Sequence, residues 1–194
     1  MTEDAALREL EAERDRLSVL TRKGVGMPAA GMIFWIAVAF VLRWEEPRTA
    51  LVICFVMTGP VFPVGYALTR LAGGDLFAKS PTLTPLGIQL AALQIFYWPI
   101  IILVFNQAPA WTPFTMAILF GSHFLPYGWL YRSPAYFFLT ISVTVLLCAA
   151  VLITGSPLYE WVPLLTAACY AVAVGMMWGE VGALAGTRVP AAGA

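Results

Sequence analysis

Charge is what this chain has least of: Asp, Glu, Lys and Arg make up 11% of its 194 residues, against 60% hydrophobic residues. Soluble domains carry about 25% charged residues. With a mean hydropathy of +0.81, a chain of this length cannot bury its apolar surface in a water-soluble core, so the bilayer has to be its solvent. One histidine, His123, and three scattered cysteines, Cys54, Cys148 and Cys169, are too few ligands for a four-coordinate metal site. The cysteines show no CxxC spacing and read as small hydrophobes within apolar runs. No GxGxxG, Walker A, HExxH or GxSxG string occurs, which removes nucleotide-binding and kinase modules and gives no reason to expect a cofactor. Nucleic-acid binding is excluded as well, because the basic residues near the first apolar run are mixed with acids and sit against a membrane.

Long apolar runs, in contrast, are abundant. Six lie at 24–42, 49–68, 85–105, 112–130, 136–154 and 158–186, each near the ~20 residues a helix needs to cross the hydrocarbon. Pro28, Pro47, Pro85, Pro113, Pro134 and Pro163 stand at or near the start of successive runs, where a missing N–H costs nothing and the fixed φ suits a first turn. The expected fold is all-α: a polytopic transmembrane bundle of six helices (24–186), a short amphipathic cytoplasmic helix before it (1–23) and a cytoplasmic tail (187–194). No cleavable leader pattern is evident, so the first run reads as an uncleaved anchor. Residues 3–23 carry Leu7, Leu10, Leu17 and Leu20 at helical spacing with acids ahead of bases, the signature of an interfacial helix. Nine Lys and Arg fall on the side of the amino terminus and only Arg43 and Arg48 on the other, which puts both termini in the cytoplasm.

The polar residues within the runs are the candidates for function. Pro60, Pro63, Pro99 and Pro126 lie inside spans and should break the second, third and fourth, freeing carbonyls that must face other helices or a wet cavity. His123 and Glu180 occupy similar cytoplasmic-side depths, and a buried ionisable group in a span needs a partner. Glu180 is therefore expected to meet His123, or else Arg70 or Arg132. Gln94, one turn from Tyr97, is the deepest strongly polar side chain and needs hydrogen bonds. Together His123, Glu180, Gln94, Tyr127 and Arg70 are expected to wall one cytoplasm-facing pocket, with polar interhelical contacts as the alternative. No catalytic residue is assigned. Ala171, Gly175, Gly179 and Ala183 form a small-residue stripe on the sixth run, suited to close packing against a neighbouring span, a second copy or another membrane protein. Trp35, Trp44, Trp111, Trp129 and Trp161 suit aromatic belts, and Glu160 reads as interfacial. Pro63-Val-Gly65-Tyr66 with Arg70, and Pro126-Tyr-Gly128-Trp129 with Arg132, read either as a repeated hairpin or as shared helix-end chemistry.

The segments Gly24-x-x-x-Pro28 with Ile33-Phe34-Trp35, Phe62-Pro63-x-Gly65, and His123-Phe-Leu-Pro126-Tyr-Gly-Trp129-Leu-Tyr131 resemble an uncharacterised family of small bacterial polytopic membrane proteins. The resemblance covers most of the six runs and implies the architecture and a bacterial inner-membrane location, but no substrate. Three classes of function remain. The first is a binder or transporter of a small molecule or lipid. The second is an accessory subunit acting through the stripe and the amino-terminal helix. The third is a membrane-embedded enzyme with His123 as general base, weakened by the lack of a nucleophile or metal cluster. A defined cavity reaching Gln94 would favour the first.

Overall fold

A computed structural model describes residues 2–186; the tail expected at 187–194 lies outside the described residues. Ten α-helices follow in order: α1 (Glu3–Leu20), α2 (Gly26–Trp44), α3 (Pro47–Met57), α4 (Val61–Leu71), α5 (Leu83–Ala92), α6 (Trp98–Gln107), α7 (Thr112–Ser122), α8 (Leu125–Leu130), α9 (Pro134–Thr154) and α10 (Trp161–Gly186). No strand occurs among the described residues. Local sequence explains several boundaries. Glu46 caps α3 by accepting the Thr49 N–H at 3.0 Å, with Pro47 in the first turn, a favourable start on both counts. The same N–H, with that of Arg48, holds the Glu46 carboxyl below its ordinary pKa. Gly155, at φ 62°, ends α9 in the left-handed conformation that glycine adopts without strain.

Four stretches are long and apolar enough to cross a membrane: Arg22–Trp44, Leu83–Gln107, Pro134–Thr154 and Trp161–Ala183. A fifth is the pair α3 and α4, bent by 47° at residues 58–60. The expected run 112–130 is divided more severely, into 11 residues of α7 and 6 of α8, with His123 and Phe124 between them. Six continuous spans are therefore not what the chain forms. The reason is proline chemistry: Pro126 has no N–H for the Ser122 carbonyl, and Pro60 sits at the turn where α4 begins. Residues 93–97 tighten into a 3₁₀ turn before Pro99, so that α5 and α6 are two halves of one span.

α2 is the central helix, packed against α4 on one side and α10 on the other. Glycine permits both approaches. A Cβ on Gly26 would strike the Gly65 carbonyl and Thr69, and one on Gly31 would strike the Tyr170 ring. Gly128 similarly lets α8 lie on Phe137 of α9. The two matching sequence segments thus share one physical device, a glycine where a half-helix crosses a long span.

α1 does not behave as a free surface helix. Ser18 Oγ donates to the Tyr131 carbonyl at 3.0 Å, and Asp15 pairs with Arg132 at 3.3 Å. Arg14 donates to the Trp129 carbonyl and lies 4.2 Å from the Trp129 ring centroid. Leu17 is buried, whereas Leu7 stays exposed. The carboxyl half of α1 therefore covers the end of the bundle where α8 stops.

Candidate ligand cavity

The three helix breaks meet at one place. Thr58 and Val61 from the α3 and α4 bend, Gln94, Ile95 and Trp98 from the 3₁₀ turn, and His123 and Phe124 from the α7 and α8 break all line a single cavity of about 530 Å³. Its floor is α2, through Met27, Gly31, Phe34 and Trp35. Leu17 and Thr21 close one end. Two carbonyls at the α7 and α8 break take side-chain donors, as a low-dielectric medium favours: that of Phe120 accepts His123 Nδ1 at 2.5 Å, and that of Gly121 accepts the Thr140 hydroxyl at 3.1 Å. Because Nδ1 is the donor, Nε2 of the neutral ring is an acceptor. It takes the Gln94 amide N–H at 2.5 Å.

One wall is a sheet of rings. Phe124 stacks on Tyr136 with centroids 5.6 Å apart, Tyr127 stacks on Tyr131 at 5.9 Å, and Tyr170 meets Phe124 edge-on at 5.9 Å. Their hydroxyls point back into the protein: Tyr127 donates to the Gly87 carbonyl at 2.9 Å and Tyr136 to the Lys23 carbonyl at 2.8 Å. The expectation that the breaks enclose a polar volume needs correction. Among the described residues no Asp, Glu, Lys or Arg lines the cavity, and most of its surface is aromatic and aliphatic.

Gln94, His123 and Tyr127 are brought together as expected for a shared pocket, but Glu180 and Arg70 are not among its lining residues. Arg70 pairs with Asp75 at 3.1 Å in the exposed turn after α4. Glu180 does not pair with His123, Arg70 or the guanidinium of Arg132. One carboxylate oxygen lies 2.8 Å from Lys23 Nζ and the other accepts the Ala135 N–H at 3.1 Å. Glu180 thereby caps α9 from a neighbouring helix, with its charge at the positive end of the helix dipole. Lys23 donates also to the Arg132 carbonyl at 3.2 Å.

The cluster explains an unusual backbone: Arg22 (φ 49°), Lys23 (φ 51°) and Gly24 (φ 63°) turn left-handed in succession, as does Arg132 (φ 48°). The three that are not glycine cost about 1–3 kcal/mol each and persist only where surrounding contacts hold them. Sequence reasoning counted Lys23 among the basic flanks and so missed the partner of Glu180. The available signal was depth, since Lys23 lies near the first residue of its span and Glu180 near the last of its own. Trp35, assigned to an interfacial belt, is 1% exposed and belongs to the core.

The model of a family of unknown function, DUF7010, matches residues 10–180, nearly the whole chain and all of the cavity's lining. The chain belongs to this family. No curated protein and no solved structure matches it significantly. The DUF7010 match thus covers the Gln94 and His123 pair and the Lys23 and Glu180 cluster together. The stripe on α10 is separate from both: a Cβ on Gly175, Gly179 or Gly182 would meet nothing within 4 Å.

Proposed function

We propose that this protein is a bacterial inner-membrane protein of six crossings, three of them broken, with both termini cytoplasmic, and that it binds a small molecule in the cavity at the breaks. The charge count supports the orientation. The observation that carries the binding reading is the cavity itself, whose roughly 530 Å³ lies within the range of drug-sized ligand sites. It combines apolar walls with the polar Gln94 and His123 pair, as such sites do. Binding is the common requirement of a carrier and a receptor, and transport would add alternation of access about the three breaks. Native mass spectrometry of the full chain released from lipid should show a retained small-molecule adduct. The adduct should be lost when Ala91→Trp fills the cavity, and equal adducts on both proteins would reject the reading.

An accessory role has one specific observation in its favour, the open glycine face of α10. A homodimer or a membrane partner would cover it. An enzymatic role gains nothing from the geometry, since both nitrogens of His123 are engaged.

A further inference from the structure

The cavity's hydrogen-bonding inventory narrows its ligand. Thr21, Thr58 and Thr84 spend their hydroxyl hydrogens on backbone carbonyls at 2.7–2.8 Å, and Tyr127 and Tyr136 do the same. The Gln94 amide gives one hydrogen to His123 and keeps its carbonyl oxygen and second hydrogen without a partner among the described residues. An ionised ligand would find no counter-charge among the described lining residues, and an uncompensated charge in such surroundings costs far more than the walls return. A neutral group that both accepts and donates a hydrogen bond would find Gln94.

The route is also marked. The span containing α5 and α6 has only 6% of its apolar stretch buried within the chain, against 50% for the span of α2. Phe62 on α4 is 50% exposed, and Ile88 on α5 and Ile95 in the 3₁₀ turn after it are 58% and 67% exposed. All three line the cavity and also face outward, so its mouth is apolar and opens toward lipid. Leu17 and Thr21 cover the end nearest α1.

We propose that the ligand is an uncharged lipophile with one terminal hydroxyl, carbonyl or amide group, entering from the bilayer between α4 and α5 and placing that group at Gln94. This rests on the binding reading and adds its chemistry and direction. Bromine quenches tryptophan on contact, and Trp98 lines the cavity, so a bromine-tipped long-chain alcohol, its carboxylate at alkaline pH and its trimethylammonium counterpart are suitable probes for the full chain in phosphatidylcholine nanodiscs. The alcohol should give saturable quenching that falls in Trp98→Phe to the share Trp35 supplies from the cavity floor, and whose affinity weakens about tenfold in Gln94→Leu, the worth of one hydrogen bond to a buried neutral group. The charged probes should give only unsaturable quenching, equal in the wild type and Trp98→Phe. Ile88→Phe, at the mouth, should slow the onset severalfold at an unchanged plateau, and an unchanged onset overturns the lateral route. If a charged probe saturates Trp98 quenching as well as the alcohol does, the assignment of a neutral ligand is wrong while the binding site stands. If no probe gives Trp98-dependent quenching although the native protein carries an Ala91-sensitive adduct, the ligand class is wrong. If the adduct is absent too, the binding reading itself fails.

Discussion

At the scale of single residues, the most consequential contact is an ion pair that positions helices, distinct from the cavity's polar groups. Lys23 and Glu180 have side chains 10% and 17% exposed. Removing one partner of such a pair leaves an uncompensated buried charge and costs about 3–5 kcal/mol, whereas replacing both by apolar groups is often neutral. Lys23→Met or Glu180→Gln alone should therefore lower the thermal stability of the purified protein markedly, and Lys23→Met with Glu180→Met should restore most of it. Singles as stable as the wild type would show that the cluster does not hold the 22–24 and 132–135 turns together. Glu180→Gln and His123→Ala should combine additively, because Glu180 bonds Lys23 and Ala135 whereas His123 bonds Gln94 and Phe120. Glu46 acts separately at the start of α3. Its folded pKa is depressed, so its contribution is present at neutral pH and is lost as pH falls through that lowered value. Glu46→Gln should flatten the acid side of a stability profile measured by thermal unfolding.

At the scale of elements, glycine decides which helices can approach. A Cβ on Gly65 would fall 3.2 Å from the Met27 Cα and 3.3 Å from the Gly26 carbonyl. Backbone cannot rotate aside as a side chain can, so Gly65→Ala should destabilise by about 1–3 kcal/mol. Gly179→Ala, in open space, should be neutral or slightly stabilising through helix propensity. A loss of oligomerisation or partner binding in Gly179→Leu, with the fold intact, would favour the accessory role. This contrast also shows what sequence can and cannot tell. The glycines of α10 are conspicuous by their spacing, yet the helix crossings near Gly26 and Gly65 depend on positions 39 residues apart that no local pattern connects. Prolines were more legible, because a missing N–H acts on its own helix, and the three breaks fall where Pro60, Pro99 and Pro126 put them. The division of the 112–130 run was legible from Pro126, but its completeness, with α8 only 6 residues long, was not, since a proline fixes where a helix is interrupted and tertiary packing fixes how far.

For the molecule as a whole, apolar length and charge asymmetry were readable from composition, and so were three of the five cavity candidates, Gln94, His123 and Tyr127. Pairing across the bundle was not readable, because Lys23 and Glu180 are 157 residues apart. Orientation is tested by reporter fusions after Arg48, Lys79, Trp111, Arg132 and Pro157, which should alternate beginning outside. A cytoplasmic signal after Pro157 would refute six crossings. The central claim is that three broken spans enclose a real ligand space. A density map of the full chain in lipid nanodiscs, resolved to side chains, tests it most directly. Continuous non-protein density is expected between α4 and α5, ending beside Gln94, with Gln94 still hydrogen-bonded to His123. A space filled by collapsed Phe62, Ile95 and Phe124 side chains, with Gln94 turned away from His123, would contradict it.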